Sequence, residues 1–478
     1  MIEAISDACT SVFVRRNPVT GDAATRASAF GVADAVIAAD AAAAAWPAWA
    51  ATGPNARRGI VSRVADLLAE RADTFVQAMI AETGTSVTWA TFNVRGAIGA
   101  LREAAALATQ VGGDVIPSDK PGCLALTVRR PVGVVLGMAP WNAPLLLGMR
   151  AVVMPLVCGN SVVLKASEAC PGTHWMIGEL FQEAGLPRSV LQVVTHDEDI
   201  APALVEALIA HSAVRRINFT GSTRVGRIVG ELAGRHLKPA LLELGGKAPL
   251  VILGDADIDQ AVSAAAFGAF VNQGQICMST ERIVVDQRIA DAFAQRLADK
   301  ALALSVSHGG EGQARIGGLI GMSSAERVEA MVADAVACGA RLLTPLRREG
   351  VRFDPVVIDQ IGPGMRLYEE ESFGPIAAIV RVRDEDEAVR VANDTEYGLV
   401  GAVFGRDLAR TLSVAQRLQV GVCNVNGTTV SSESQLPFGG VKSSGYGRFG
   451  GKSAIAEFTD LQLLTIHTEP QTYPLPIH

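Results

Sequence analysis

The sequence predicts an α/β protein whose first large unit is a parallel, doubly wound sheet and whose second is another α/β block. Three observations carry this. From Pro131 onward, short apolar runs at 132–136, 161–165, 190–194, 216–220 and 241–244 alternate with amphipathic stretches at 144–157, 171–184, 202–211 and 224–237. Strands buried on both faces read as continuous apolar runs, and each parallel neighbour needs a helical crossover, so this alternation is the pattern of a parallel sheet. After Gly245-Gly246 the pattern restarts with a strand at 249–253 and continues to about Gly447. Finally, 478 residues exceed one hydrophobic core, so two or three domains are expected.

Composition narrows the function classes. Hydrophobic residues make up 49% and charged residues 19%, which suits a soluble, well-buried chain. The net charge of −7 comes with no basic cluster, so a nucleic-acid surface is not expected. Met1-Ile-Glu-Ala-Ile-Ser-Asp7 puts acids where a signal peptide needs a basic region, and no apolar run approaches the roughly 18 residues of a membrane span. Seven scattered cysteines, odd in number and without metal-ligand spacing, point to a reduced, cytoplasmic protein with no disulfide framework and no metal.

Before the parallel series, the turn Asn17-Pro-Val-Thr-Gly21 predicts a hairpin within residues 1–30. An alanine-rich helix follows over 33–51, since Ala is the strongest helix former. Residues 57–82 form the next helix, with Ile60, Val64, Leu67, Leu68, Phe75 and Met79 on one stripe and Gly84 placed as its stop. Another helical stretch runs from Trp89 to Gln110. Gly112-Gly113, Pro117 and Pro121-Gly122 then punctuate an excursion over 111–130 that contains a strand at 124–128. Near the end, Leu461-Gln-Leu-Leu-Thr-Ile466 reads as an edge strand that can pair with another copy.

The chemistry centres on Cys277, in Phe270-Val-Asn-Gln-Gly-Gln-Ile-Cys-Met-Ser-Thr280. Upstream, Asp255-Ala-Asp-Ile-Asp259 supplies N-cap candidates for a helix, and Arg282-Ile-Val-Val-Asp286 downstream is a short buried strand. The cysteine thus lies in a Gly-containing connection, where a side chain can be held yet reached by a ligand. Ligands on parallel sheets bind beyond the C-terminal strand ends. There the sequence places Asn142, Lys165-Ala-Ser-Glu168, Gly221-Ser222 with Gly226 one turn on, and Glu243. Each has a plain structural alternative: a turn-forming Asn, a solvated Lys, a helix cap, a buried inert thiol. All of these together, in this order around one cysteine, argue for a site.

The same motifs resemble those of the aldehyde dehydrogenase superfamily over essentially the whole chain. They are Pro140-Trp-Asn142, Lys165 to Glu168, Phe219-Thr-Gly-Ser222, Glu243-Leu-Gly-Gly-Lys247, Asn272-Gln-Gly-Gln-Ile-Cys277, Glu371-Ser-Phe-Gly-Pro375 and Pro437-Phe-Gly-Gly440. Two departures are small: Ala143 stands where the family often has an aromatic, and Ala166 where proline is common. The resemblance implies a Rossmann-like NAD-binding domain over 1–114 and 134–245, a catalytic domain over 246–446, and a small β oligomerisation arm and tail over 115–133 and 447–478. It also implies a homodimer or homotetramer.

It further implies NAD as cofactor, with Lys165 and Glu168 on the adenosine ribose, Gly221 and Ser222 beside the pyrophosphate, and Gly226 and Leu244 among the other cofactor-binding residues. Glu371 would hold the nicotinamide ribose, with Trp141 and Phe373 shaping that end. A carboxylate at 168 accepts from two ribose hydroxyls and repels a 2′-phosphate, which favours NAD over NADP. Cys277 is then the nucleophile, Asn142 an oxyanion donor together with the Cys277 backbone N–H, and Glu243 the base that activates water. A free thiol is only a few per cent ionised near neutral pH, so the site is expected to promote ionisation.

Arg216 to Gly226, Gly274 to Arg282 and Ser444-Gly-Tyr-Gly-Arg448 resemble the salicylaldehyde and vanillin dehydrogenase branch, implying an aromatic aldehyde substrate. Arg150, in the otherwise apolar run 145–157, needs hydrogen-bonding partners; it either lines the substrate pocket with Trp89 and Ile276 or forms a structural ion pair. Semialdehyde or aliphatic substrates are the alternatives. A CoA-acylating relative generally lacks the water-activating glutamate, a cysteine hydrolase would need a histidine motif, and an inactive nucleotide-binding protein would not keep Cys277, Glu243 and Asn142 together.

Overall fold

The computed structural model describes residues 1–6, 11–304, 317–471 and 473; Cys9, His308 and His478 lie outside the described residues. Two largely parallel sheets dominate. The first runs Gly445–Tyr446, Ala240–Glu243, Val214–Thr220, Val134–Met138, Ser161–Lys165, Leu191–Val194, and all but the first strand are parallel. The five strands expected from the alternating pattern are present. The first starts at Val134 rather than 132 because the Asn160 side-chain oxygen takes the Val132 and Gly133 amides at 2.7 and 3.2 Å, keeping them out of the ladder.

In chain order the first predicted strand lies between the second and the fourth. The connection therefore reverses direction beside Val134–Met138 and Val214–Thr220, opening a crevice at their C-terminal ends. Helix Pro144–Val157 follows Val134–Met138 and is buried on almost every side; only Leu146 and Arg150 along it are partly exposed. Such a helix is a core element, which is why one arginine in it is conspicuous.

The second sheet runs Arg341–Leu342, Val356–Asp359, Ile376–Val382, Arg282–Asp286, Pro249–Ile252, Val400–Phe404, Val422–Val425, with only Arg341–Leu342 antiparallel. A third sheet has Thr459–His467 paired along the whole of Cys123–Pro131, with Val115–Ile116 on the other side. Thr459–His467 is an edge strand, as its sequence suggests, and Val115, Leu461 and Leu463 on this sheet are exposed.

Three local expectations change. The 57–82 helix is two helices, Pro54–Glu70 and Ala72–Thr83, broken at Arg71 (φ −109°, ψ 20°), where Arg71 pairs with Glu183 at 2.6 Å. The apolar stripe continues across the break, so periodicity conceals it. The N-terminal hairpin, Val12–Arg16 with Ala23–Ser28, gains a third strand, Ile2–Ala4, parallel to the second. Gly445–Tyr446, reached late in the chain, pairs with Ala240–Glu243 of the first sheet rather than with the second. Gly84 does end its helix, in the left-handed conformation at φ +68°. Among the described residues, no helix is long and apolar enough to cross a membrane, and no group of three His, Cys, Asp or Glu side chains could hold a metal ion.

Candidate active site

Asp257 caps helix Ile258–Phe270, its side chain accepting from the amides of Asp259 and Gln260 at 3.1 Å. Beyond Phe270 the chain takes three successive left-handed residues, Asn272 (φ +48°), Gln273 (φ +55°) and Gly274 (φ +69°). Each non-glycine in that region costs about 1–3 kcal/mol, so the surroundings have to hold it. They do. Asn272 accepts from Thr85 Oγ1 at 2.9 Å and donates to the Asn142 carbonyl at 3.1 Å. The Gln275 side chain reaches the Gly318 carbonyl and the Ile320 amide. A side chain at 274 would meet the Gly374 oxygen at 2.1 Å, so only glycine fits there.

This loop is sewn to the first sheet through Asn142. Its side-chain amide donates to the Gln275 carbonyl at 2.9 Å, which leaves its second N–H free among the described residues. The Asn142 carbonyl also accepts from Trp89 Nε1 at 2.8 Å. Trp89, buried and stacked on Phe92, therefore holds the Asn142 backbone. Trp89, Ile276 and Phe438 share one apolar cluster, and Cys277 packs against it.

Glu243 ends its strand and is 1% exposed, with neither carboxylate oxygen in a hydrogen bond of normal geometry. Burial pushes this carboxyl above its usual range, while Cys277, Arg150 and Thr220 pull it down. The Cys277 thiol is raised well above its ordinary value by burial, then by Glu243 and Glu371; only Arg150 is a counterweight. In the protein alone, burial first and then the neighbouring Glu243 and Glu371 keep the proton on the sulfur, so the expected promotion of ionisation is not seen there. Arg150 itself is shifted down by burial and held up by Glu243 and Cys277. Its Nη2 donates to Ser432 Oγ at 3.0 Å, and its guanidinium lies 5.4 Å from the Phe438 ring centre. The structural ion pair considered for it is absent among the described residues.

Along the same edge, Lys165 Nζ lies 3.8 Å from Glu168, and burial lowers the Lys165 pKa against the pull of Glu168. Ser222 caps helix Thr223–Arg235 by accepting from the Val225 amide. The close approach at Gly226 is real: a Cβ there would sit 2.3 Å from Leu244 Cδ2. Glu371 Oε1 accepts from the Gly246 amide at 2.9 Å, and burial with the Glu281 charge pushes its carboxyl up to about 8. Trp141 meets Phe373 edge-on, centroids 5.8 Å apart. A strand-end carboxylate beside a lysine, a capped 13-residue helix with glycines at its start, and a second carboxylate over Gly245-Gly246 fit a dinucleotide running from Lys165 to Cys277.

A model of the aldehyde dehydrogenase family matches residues 5–464. The chain belongs to the aldehyde dehydrogenase family. It is 53% identical to a vanillin dehydrogenase of Pseudomonas fluorescens over 463 residues, 97% of this chain and 96% of the relative. A solved salicylaldehyde dehydrogenase from Pseudomonas putida G7, complexed with salicylaldehyde, superposes with a TM-score of 0.95 at 45% identity, covering 97% of this chain and 96% of that one. A benzaldehyde dehydrogenase [NAD(+)] of Pseudomonas putida is 38% identical over 89% of this chain and 87% of the relative. The aldehyde dehydrogenase fold, with its parallel-sheet α/β architecture, is that expected from the motifs.

One group of this aldehyde dehydrogenase escaped the sequence reading. Glu281 is 4% exposed and accepts from the Ser372 amide and hydroxyl and from the Phe373 amide at 2.9–3.0 Å. It also pairs with the fully buried Lys247 ammonium at 2.9 Å, which in turn reaches the Glu370 carbonyl at 2.6 Å. This buried pair pins the segment that presents Glu371 and Phe373, the latter at φ +47°. Lys247 stood in a recognised motif, but nothing local marks Glu281 as its partner.

Proposed function

We propose that the protein oxidises an aromatic aldehyde, a hydroxylated benzaldehyde such as salicylaldehyde or vanillin, to the carboxylic acid with NAD. The observation that carries this is the convergence of Cys277, Glu243 and Arg150 beside Asn142. Relatives named for vanillin, salicylaldehyde and benzaldehyde support the aromatic class.

Cys277 Sγ is the nucleophile. Cys277 reacts as the thiolate, its proton released to solvent, with Arg150 favouring the negative sulfur. Addition to the carbonyl carbon creates an oxyanion, met by the free Asn142 side-chain N–H and the Cys277 backbone N–H; one such donor is worth about 100- to 1,000-fold in turnover. Bound NAD would supply the hydride acceptor; loss of hydride from the carbon bonded to Cys277 Sγ, as its oxyanion returns to a carbonyl, leaves a thioester on Cys277. Glu243, as the carboxylate, takes a proton from water as it attacks the thioester, which releases the acid. Burial shifts this carboxyl upward, the direction that makes it a stronger base for water.

Lys165 and Glu168 hold the adenosine ribose; Gly221, Ser222, Gly226 and Leu244 flank the pyrophosphate; Glu371, Trp141 and Phe373 shape the nicotinamide end. NAD is preferred over NADP because Glu168 repels a 2′-phosphate. Arg150, with Trp89 and Ile276 behind it, faces the ring oxygen of the substrate. The same reading divides the chain into a cofactor domain (1–114, 134–245), a catalytic domain (246–446) and an arm and tail (115–133, 447–478). The exposed apolar residues of the arm sheet support pairing with another copy, as dimer or tetramer, and the scattered, unpaired cysteines fit a cytoplasmic enzyme. The test is NADH formation from a panel of aldehydes without CoA. Hydroxybenzaldehydes are expected to show the highest kcat/KM; aliphatic aldehydes exceeding the whole aromatic set overturn the substrate assignment, and a requirement for CoA overturns hydrolysis.

A further inference from the structure

We infer that Ser432 is a positioning residue, which aims the Arg150 guanidinium at the reacting centre and thereby sets the preference for aldehydes carrying a ring oxygen. This rests on the reading of Arg150 given above and goes one step beyond it.

Arg150 leaves a helix that is otherwise almost wholly buried, and its charge acts in two directions. Inward lie Glu243 and Cys277, whose fields support it. Outward, Glu103 and Glu433 line the same small cleft as Arg150. A guanidinium is long, flexible and always charged, so without a restraint it would turn to a carboxylate in that cleft. It does not: among the described residues no carboxylate lies within ion-pair distance of it. What holds it is the 3.0 Å bond from Nη2 to Ser432 Oγ and the Phe438 ring 5.4 Å away.

The identity of the anchor matters. A hydroxyl satisfies one N–H without neutralising the charge, whereas a carboxylate would cancel it. The remaining donors of the fork, and the undiminished charge, are then available to a phenolic or methoxy oxygen on the substrate ring. Ser432 thus works through Arg150 and needs no contact with the substrate itself.

The experiment compares kcat/KM for salicylaldehyde and benzaldehyde, at saturating NAD, in the wild type, Ser432→Ala, Ser432→Thr, Arg150→Met and the Ser432→Ala/Arg150→Met double variant, with melting curves for all. Ser432→Ala is expected to lower the salicylaldehyde-to-benzaldehyde ratio about 10-fold, near the low end for losing one hydrogen bond to a charged group. The larger loss falls on salicylaldehyde, mainly in its KM, and benzaldehyde loses less, only in step with weaker Arg150 support of the Cys277 thiolate. Ser432→Thr, which keeps the hydroxyl, restores the ratio, and the double variant matches Arg150→Met alone. An unchanged ratio in Ser432→Ala, alongside a lowered ratio in Arg150→Met, overturns the role of Ser432 while leaving that of Arg150. Equal losses on both aldehydes with a lower melting temperature make Ser432 merely structural and overturn it too. An unchanged ratio in Arg150→Met removes the reading beneath it.

Discussion

Replacing Glu243 with Gln separates the two halves of the reaction. The side chain is 1% exposed and its oxygens have no hydrogen-bond partners of normal geometry, so an amide of the same shape can enter without breaking a network. Gln is neutral, so it does not oppose the thiolate used for addition. It also removes the charge that, after burial, does most to hold the proton on Cys277, so the sulfur ionises more readily. Acylation therefore survives. Gln cannot take a proton from water, and loss of a positioned general base lowers the rate about 100- to 10,000-fold. That corresponds to about 2.7–5.5 kcal/mol in the barrier to deacylation. Stopped-flow measurement of NADH with benzaldehyde should show a burst near one equivalent per active site, followed by this slow steady phase. Steady turnover within a few-fold of wild type would refute the assignment of Glu243. A missing burst would mean that its carboxylate is needed to form the thioester, contradicting the reasoning on the thiol.

Three further outcomes are expected. Glu168→Gln removes the negative charge beside Lys165, so the NAD-to-NADP ratio of kcat/KM should fall; an unchanged ratio places cofactor selection elsewhere. The Glu371 carboxyl, at about 8 in the folded protein against an ordinary 4.5, keeps a proton that the unfolded chain releases. Its stabilisation is thus full below 4.5 and lost as pH rises through about 8, so melting temperatures of cofactor-free wild type should decline more steeply across that window than those of Glu371→Gln. Parallel curves would show that Glu371 is not the titrating group. Glu281→Ala strips acceptors from Ser372 and Phe373 and leaves the Lys247 ammonium buried and unpaired, a loss of about 3–5 kcal/mol in urea unfolding with a raised KM for NAD. A cost below about 1 kcal/mol would mean that Lys247 finds another partner.

Much of this protein is written locally, and the sequence alone determined those parts. Apolar runs spaced by amphipathic stretches specify strands and crossovers because burial on two faces, or on one stripe, is a property of neighbours along the chain. The short motifs around Asn142, Glu168, Ser222, Glu243, Cys277 and Glu371 are legible for a similar reason: each packs a turn or cap and its functional group into a few residues. Tertiary structure decided the rest. Arg71, at the helix break, meets a partner 112 residues away, Lys247 and Glu281 meet across 34 residues, and Arg150 and Ser432 across 282. The shift of the Cys277 thiol likewise depends on Glu243 and Glu371, which chain order separates and folding brings together. Periodicity and motif spacing report what a residue needs; which distant group supplies it, and whether that group favours or opposes a charge, is set only when the chain has closed on itself.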